Sequence, residues 1–585
     1  MSCSFSLVVL AYGADAQTIT LPDEYGKLLV ATSQVDRLKV GLVGEQINLY
    51  SGALGIMQTD VSIPGSFVLP VEVTRRFSAS QGNDGLHGFF ADWDLAIPNI
   101  HGIFSSSDGW IVSTTTDTKY RRCSLFAPPP PSLSIKNSAI FESEEFWQGD
   151  FVFIPGRGDQ EILVRSSSTP VPGDGGAYPL VLADGSAISC LSSLASGSNP
   201  SLGEGFEVTT PDGTKYQFDH MVTRVHSGLS KMELDPGTTL DSDGEYYEVM
   251  INRAEYMIFP TIVTDRFGNY VKYSWSSSNP LQLLEITSSD GRSIAFSYTD
   301  STGYLIQSVT ASGRTWTYTY GSNTLLQAEL PDLTNWNFAL SDVALKKPSY
   351  TGSTCDVAEG HADSVSGMVT TPGGASVTFN LALNRMTRTW VSRVCSADES
   401  YATYPKDMYV MALASKVITG PGLPSSGYVW SYSYDNLEGC WDPTTIYTGT
   451  TSSACTTSTA GTRTVTVTNP DGSMERSVYG NHVGLNEGQL LTQEFGVSGS
   501  SVLRTDAYAY AAPDAGPYPT YIGDSYQPRG DGEMSSRFRP RRQVTITQQG
   551  QTFTWSVASD CSDVPYCFDT YARATKIVME SSPSP

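Results

Sequence analysis

Two stretches of this chain repeat one instruction: TSSDGRSIAFSY (287–298) and TASGRTWTYTY (310–320). Each begins with a small polar turn, passes through Gly-Arg and continues as a strict alternation. In the first, Ile294, Phe296 and Tyr298 fall on one face of a strand and Ser293, Ala295 and Ser297 on the other. In the second, Trp316, Tyr318 and Tyr320 repeat the arrangement against Thr315, Thr317 and Thr319. A shorter apolar segment precedes each turn, so each unit reads as a β-hairpin with Gly291 or Gly313 in its turn. DRFGNYVKYSW (265–275) extends the series upstream with Gly268, Tyr273 and Trp275, and PDLTNWNFAL (331–340) extends it downstream with Trp336 and Phe338. The period is about 20 to 23 residues, and a hairpin that short cannot bury its own aromatic face. Successive hairpins must therefore stack side by side into one long sheet whose core is an aromatic ladder.

Looser copies at 209–220, 370–383, 427–436, 467–480 and 548–557 carry the same turn-then-alternation pattern through most of the chain. Composition agrees, because 31 Tyr, 22 Phe, 10 Trp, 53 Gly and 33 Pro stand beside only 16% charged residues. That mixture favours short strands and turns over long helices. The predicted fold class is all-β, a repeat-built, spiralling antiparallel sheet with little helix. A net charge of −24 repels phosphate backbones and anionic lipid, which argues against a nucleic-acid or membrane-surface partner. No stretch is long and apolar enough for a membrane-spanning helix.

The N-terminus has a short apolar run from Phe5 to Ala11 and an A-x-A site at Ala14-Asp15-Ala16, which predicts a signal peptide over 1–16 and a secreted or cell-envelope location. No Lys or Arg precedes the run. Eight cysteines remain after cleavage, an even number suited to an oxidising compartment. Taken in order they pair as Cys123–Cys190, Cys355–Cys395, Cys440–Cys455 and Cys561–Cys567, one of 105 possible connectivities. Six scattered histidines and the absence of C-x-x-C predict no metal site.

The Gly-Asn or Gly-Arg turns followed by alternating aromatics at this period resemble the YD repeats of the RHS (rearrangement hotspot) family, and YSYDN at 432–436 resembles the namesake motif. That family includes the shell chains of bacterial toxin complexes and the teneurin ectodomains. A second stretch, 44–79 followed by GLHGFFADWDLAIPNI (85–100), resembles the segment that precedes the repeats in bacterial members. The resemblance covers roughly 44–110, 205–340, 425–500 and the last twenty residues. It implies a hollow β-shell that encloses a C-terminal, often toxic, domain. The late aspartate-containing closing motif and a toxin-like tail are both missing from this sequence, so the resemblance implies a shell wall and a missing downstream shell or toxin segment as partner.

Several other motifs carry less. FESEEFWQGD (141–150) sets Glu142, Glu144, Glu145 and Asp150 near Trp147, as a glycosidase would set paired carboxylates by an aromatic platform, but a solvated strand edge explains it as well. DSDGE (241–245) lacks the full calcium-loop pattern. RGD (529–531) is three letters, and RFRPRR (537–542) is the one basic cluster, either an anion contact or a counter-patch to the acidic surface. No nucleophile elbow, zinc-protease helix, phosphate loop or dinucleotide fingerprint occurs. The expectation is a non-enzymatic protein without catalytic, cofactor or metal residues.

The expected organisation is a signal at 1–16, an N-terminal β-region at 17–125, a β-rich insert or linker at 126–204 opened by the proline run APPPPS, a hairpin array at 205–345 and further YD-like hairpins at 346–585, open at the C-terminus. Two function classes stay open. One is an exported RHS-type scaffold or its N-terminal portion, and the other is an extracellular binding or adhesion protein whose aromatic ladders hold cell-surface glycans. A carbohydrate-cleaving enzyme is a third. Burial of the ladder separates the first two: an enclosed ladder favours the shell, and an exposed outer row favours glycan binding.

Overall fold

A series of tight turns from Thr210 onward lies on one rim of a single antiparallel sheet. Strand Gly205–Thr209 pairs with Lys215–Leu234, which pairs with Tyr246–Thr264, and each following strand up to Arg504–Tyr510 pairs with the one before it. The registers place turns 210–214, 265–269, 288–292, 311–314, 330–334, 371–375, 469–473 and 548–551 at the same end. The gaps that follow the strands ending at Ala339, Arg385 and Tyr434 are bridged from the opposite rim. The computed structural model describes residues 19–20, 41–79, 88–112, 120–135, 139–197, 203–234, 246–300, 303–345, 364–386, 409–435, 461–481, 486–499, 501–526 and 536–582.

Among these residues the fold is all-β: a 30-stranded sheet, a four-stranded sheet and one two-stranded ribbon. The helices there are two short turns, Ser143–Phe146 and Ser341–Leu345. None is long and apolar enough to cross a membrane. Residues 1–16, the DSDGE and RGD stretches, and Cys355, Cys395, Cys440 and Cys455 lie outside the described residues.

The two near-identical repeats turn differently. At Gly291 the chain makes a three-residue loop, with Gly291 N–H donating to Ser288 O and Ser288 N–H to Arg292 O, both at 3.0 Å. At Gly313 a two-residue turn has Ser312 and Gly313 at φ 51° and 74°, the primed geometry that matches strand twist. Gly291 has φ 86°, and a methyl group added at either glycine would meet nothing within 4 Å. Substitution therefore costs through backbone strain alone. Gly291→Ala and Gly313→Ala should each destabilise by about 1–2 kcal/mol, measured by urea titration.

The far end of each repeat strand holds the last aromatic residue, and there the ladder slips by one residue. Register shifts occur at Ser274/Trp275, Ser297/Tyr298, Thr319/Tyr320 and Ala509/Tyr510. At each of these positions the ring's polar end bonds a main-chain carbonyl of a neighbouring strand. Trp275 Nε1 donates to Pro260 O at 3.2 Å, Tyr298 Oη to Leu283 O at 2.9 Å, Tyr320 Oη to Ile306 O and Tyr510 Oη to Leu490 O at 2.9 Å. Tyr434 does the same to Leu413 O at 2.9 Å. The accepting carbonyls of Pro260, Leu283, Ile306, Leu413 and Leu490 each stand beside the slip that their own strand makes with the strand before it, so each polar ring end bonds at the slip of the preceding pair. Tyr298→Phe should cost roughly 1–2 kcal/mol although it keeps the ring, because the Leu283 carbonyl loses the hydroxyl that donates to it; chemical denaturation checks this.

The N-terminal residues fold inside the array. Strands Glu45–Ile47, Leu54–Ser62, Glu72–Ser78 and Asp94–Leu95 form the four-stranded sheet, and it shares one buried cluster with the repeats, including Phe77, Phe89, Phe90 and Trp93. Described residues of the stretch 126–204 pack into a second cluster with the long hairpin Lys215–Leu234 and Tyr246–Thr264, and Phe126, at the mouth of the proline run, is buried in it. The sheet also closes on itself. Gly523–Asp524, reached by the chain after Tyr510, pairs with Leu163–Arg165 through Val164↔Asp524 and Arg165↔Gly523. Cys123–Cys190 and Cys561–Cys567 are bonded, with Cα separations of 5.6 and 5.4 Å, inside the normal disulfide range.

Candidate functional site

The repeat strands present two faces because side chains alternate, and the aromatic face is the enclosed one. Ile294, Phe296, Trp316, Tyr318 and Phe338 are buried, and Tyr273, Trp275, Tyr298, Tyr320 and Trp336 are half-buried against the same cluster. Phe90 packs on Tyr318 with ring centroids 4.7 Å apart, and Trp93 on Phe338 at 5.0 Å. The inner sheet therefore covers the ladder with its own aromatic residues. The turn glycines Gly268, Gly291 and Gly313 sit on the rim, away from this contact.

At the centre of the contact lies an ion pair that reading by periodicity missed. Arg75, in the Arg-Arg-Phe stretch, has no exposed side-chain surface, and Asp60 has 2%. Arg75 Nε donates to Asp60 Oδ2 at 2.6 Å and Nη2 to Oδ1 at 2.8 Å, a bidentate pair. Tyr318 Oη donates to Asp60 Oδ2 at 2.8 Å, which ties the pair to the ladder. The guanidinium lies 5.2 Å from the Trp93 ring centroid and 4.9 Å from that of Phe338. Beside it, Asp94 accepts from Arg224 Nη1 at 2.9 Å, which joins the inner sheet to the long hairpin.

The carboxylates of FESEEFWQGD do not converge as a catalytic pair. Glu142 and Glu145 form a capping box around the short helix, and Glu145 also accepts from Lys231 Nζ at 2.9 Å. Asp150 is buried elsewhere, where it accepts from Trp147 Nε1 at 3.1 Å. Burial pushes the Asp150 carboxyl up to about 7; the Trp147 N–H, His101 and Arg122 pull against the rise, and Glu161 adds to it. An acid whose folded pKa is raised binds its proton more tightly folded than unfolded. It therefore costs stability as pH climbs from about 4 towards 7. Asp150→Asn should raise stability at pH 8 by on the order of 2 kcal/mol and have little effect below pH 4, in paired thermal melts.

The cluster that encloses the ladder reaches only to Leu413, Ile418 and Tyr432. Beyond it the sheet continues against the second cluster through Val465, Tyr479 and Leu490, with Tyr508 packed there and Trp555 against a third, smaller cluster, and apolar exposure rises at the last two strands. Cross-strand pairing aligns Tyr508, Val544, Trp555 and Met579 in one row and Asp506, Ile546, Phe553 and Ser581 in the next. Phe553 is 49% exposed and Met579 72%. The last strand, Ile577–Ser582, pairs with Gln551–Val557 and, among the described residues, with no other strand, and all six of its residues are exposed. The basic cluster borders this region: Arg541 stacks over Tyr508 at 4.4 Å, Arg542 over Tyr566 at 5.2 Å and Arg537 over Tyr521 at 4.6 Å.

No protein-family model matches the chain. No curated protein matches it either. Among solved structures it is similar to the N-terminal domain of effector protein SpvB from Salmonella typhimurium strain LT2, at 10% identity and a TM-score of 0.14, over 72% of this chain and 98% of that one. A likeness of that size establishes neither a common fold nor a common activity.

Proposed function

We propose that this protein is an exported, non-enzymatic scaffold of the RHS type, a β-shell wall on which a further polypeptide segment, shell or cargo, is seated. The exposed apolar side chains of the last two strands carry this reading. Phe553 and Met579 stand exposed at the end of a sheet whose earlier aromatic face is covered by residues of 43–79 and 88–97, and the last strand pairs, among the described residues, with Gln551–Val557 alone. Exposed apolar side chains beside a strand with one described neighbour make a surface suited to another strand. The ladder itself supports the scaffold over the glycan platform, since its rings contact Phe90 and Trp93 and face away from solvent. The carboxylates that a glycosidase would need are taken up by a helix cap, a lysine and an indole N–H.

Sedimentation over a concentration series, with amide exchange read at 577–582, tests the reading. The isolated chain is expected to self-associate as concentration rises, and the amides of that strand that do not donate to Gln551–Val557 should exchange fast in the monomer. A monomer at every concentration with those amides already protected would overturn it.

A further inference from the structure

Independently of the scaffold reading, we infer that His101 is a proton-operated latch: it holds the hairpin 151–161, the lead-in to the sheet's closure, in mildly acidic solution and slackens it in alkaline solution. His101 lies in strand Asn99–Ser105, which pairs on one side with Phe151–Ile154 and on the other with Tyr246–Thr264. Its two ring nitrogens face carboxylates from those two sides. Nε2 is 3.1 Å from Asp159 Oδ1 in the second strand of the hairpin, and Nδ1 is 3.7 Å from Glu255 Oε1 in the long strand. An imidazolium presents an N–H to each carboxylate, whereas a neutral ring must turn a lone pair towards one of them. Only the charged ring satisfies both sides.

The charges around the ring come from every element packed against it. Arg76 of the inner sheet lies over Phe153 at 4.1 Å and 3.7 Å from Asp94, and Asp94 accepts from Arg224, the cross-strand partner of Glu255. With His101 protonated, Arg76, Arg224 and His101 balance Asp94, Asp159 and Glu255. Loss of the proton leaves the carboxylates in excess. Burial and, less strongly, Arg76 pull the His101 pKa down, but the hydrogen bond and charge of Asp159, with the charge of Glu255, outweigh them and leave it raised. The stabilisation is therefore complete below the ordinary imidazole value of about 6.5 and is lost as pH climbs through the raised one. Asp150 lies on the other side of the same strand, where a methyl group added at Gly102 would meet its Oδ1 at 2.2 Å. Its main-chain carbonyl accepts from Ile162 N–H at 2.9 Å, just past the hairpin and just before Leu163–Arg165, the strand that closes on Gly523–Asp524. Its carboxyl, pushed up to about 7 by burial, ionises over the same interval and slackens the hairpin in the same direction. The side chains of His101 and Asp159 are 21% and 49% exposed, which gives protons access and screens the charges, so the change in hold is modest.

Amide exchange on the whole chain, expressed as protection over the intrinsic rate at about pH 6 and about pH 8, tests this in the Asp150→Asn variant, where the second titrating group is gone. Protection across 151–165 is expected to fall about two- to fivefold between the two, the range of a partly exposed ion pair, while strand Ser293–Tyr298, which carries no charged side chain, stays unchanged as the internal reference. His101→Gln in that background should show the lower protection at both pH values. Asp159→Asn, at an exposed position, should move the His101 titration, followed by NMR of the labelled ring, to lower pH. Equal protection at the two pH values, or a loss that survives His101→Gln, would overturn the proposal. Should His101→Gln fail to fold, the Asp159→Asn titration decides, and an unmoved His101 midpoint would overturn it.

Discussion

Asp60→Ala is expected to destabilise the protein by about 3–5 kcal/mol, measured by urea unfolding at pH 7, because it leaves the Arg75 guanidinium buried without its carboxylate. The pair is enclosed on every side that the contacts describe. Trp93 and Phe338 flank the guanidinium, and Tyr318 donates to the carboxylate. Removing Asp60 also deprives the Tyr318 hydroxyl of its acceptor. A double substitution that removes both charges, Asp60→Leu with Arg75→Met, should cost less than Asp60→Ala alone, since no charge is then left stranded in the core. Equal losses for the single and double variants would mean that packing, and not charge compensation, dominates at this contact.

Trp316→Ala and Phe296→Ala are each expected to cost about 3–5 kcal/mol, whereas Thr317→Ala should stay within about 0.5 kcal/mol. Trp316 is 6% exposed and Phe296 9%, both in the cluster shared with the inner sheet, while Thr317 faces the other way across from Ser308 and Glu329. Cavity formation on one face and a solvent-side change on the other should separate the three by urea titration. Small and equal effects would show that the aromatic face is not the load against which the inner sheet packs, and they would reopen the glycan-platform reading.

Alternation was enough to read the class of fold and the face on which Ile294, Phe296, Trp316 and Tyr318 lie, because a strand's side chains have a period of two whatever surrounds them. Turn positions were legible for a related reason: Gly268, Gly291 and Gly313 stand where the backbone takes positive φ, which is a local requirement. Even so, the near-identical turns at Gly291 and Gly313 differ by one residue in loop length, since pairing across the whole hairpin sets the register.

The tyrosine at the end of each repeat strand was visible as an aromatic but not as a hydrogen-bond donor. Its role depends on a bulge, and a bulge is a relation between two strands. The Asp60–Arg75–Tyr318 contact joins residues far apart in the chain, all three in strands whose alternation says only inside or outside. Periodicity reports which way a side chain points, and only the folded chain decides what stands opposite it. The covering of the ladder by residues of 43–79 and 88–97 and the closure of the sheet through Val164 and Asp524 are long-range juxtapositions of this kind. Local sequence determined the strands, their faces and their turns, because those follow from backbone sterics and side-chain alternation; tertiary structure decided which face meets which, because that depends on burial summed over the whole sheet.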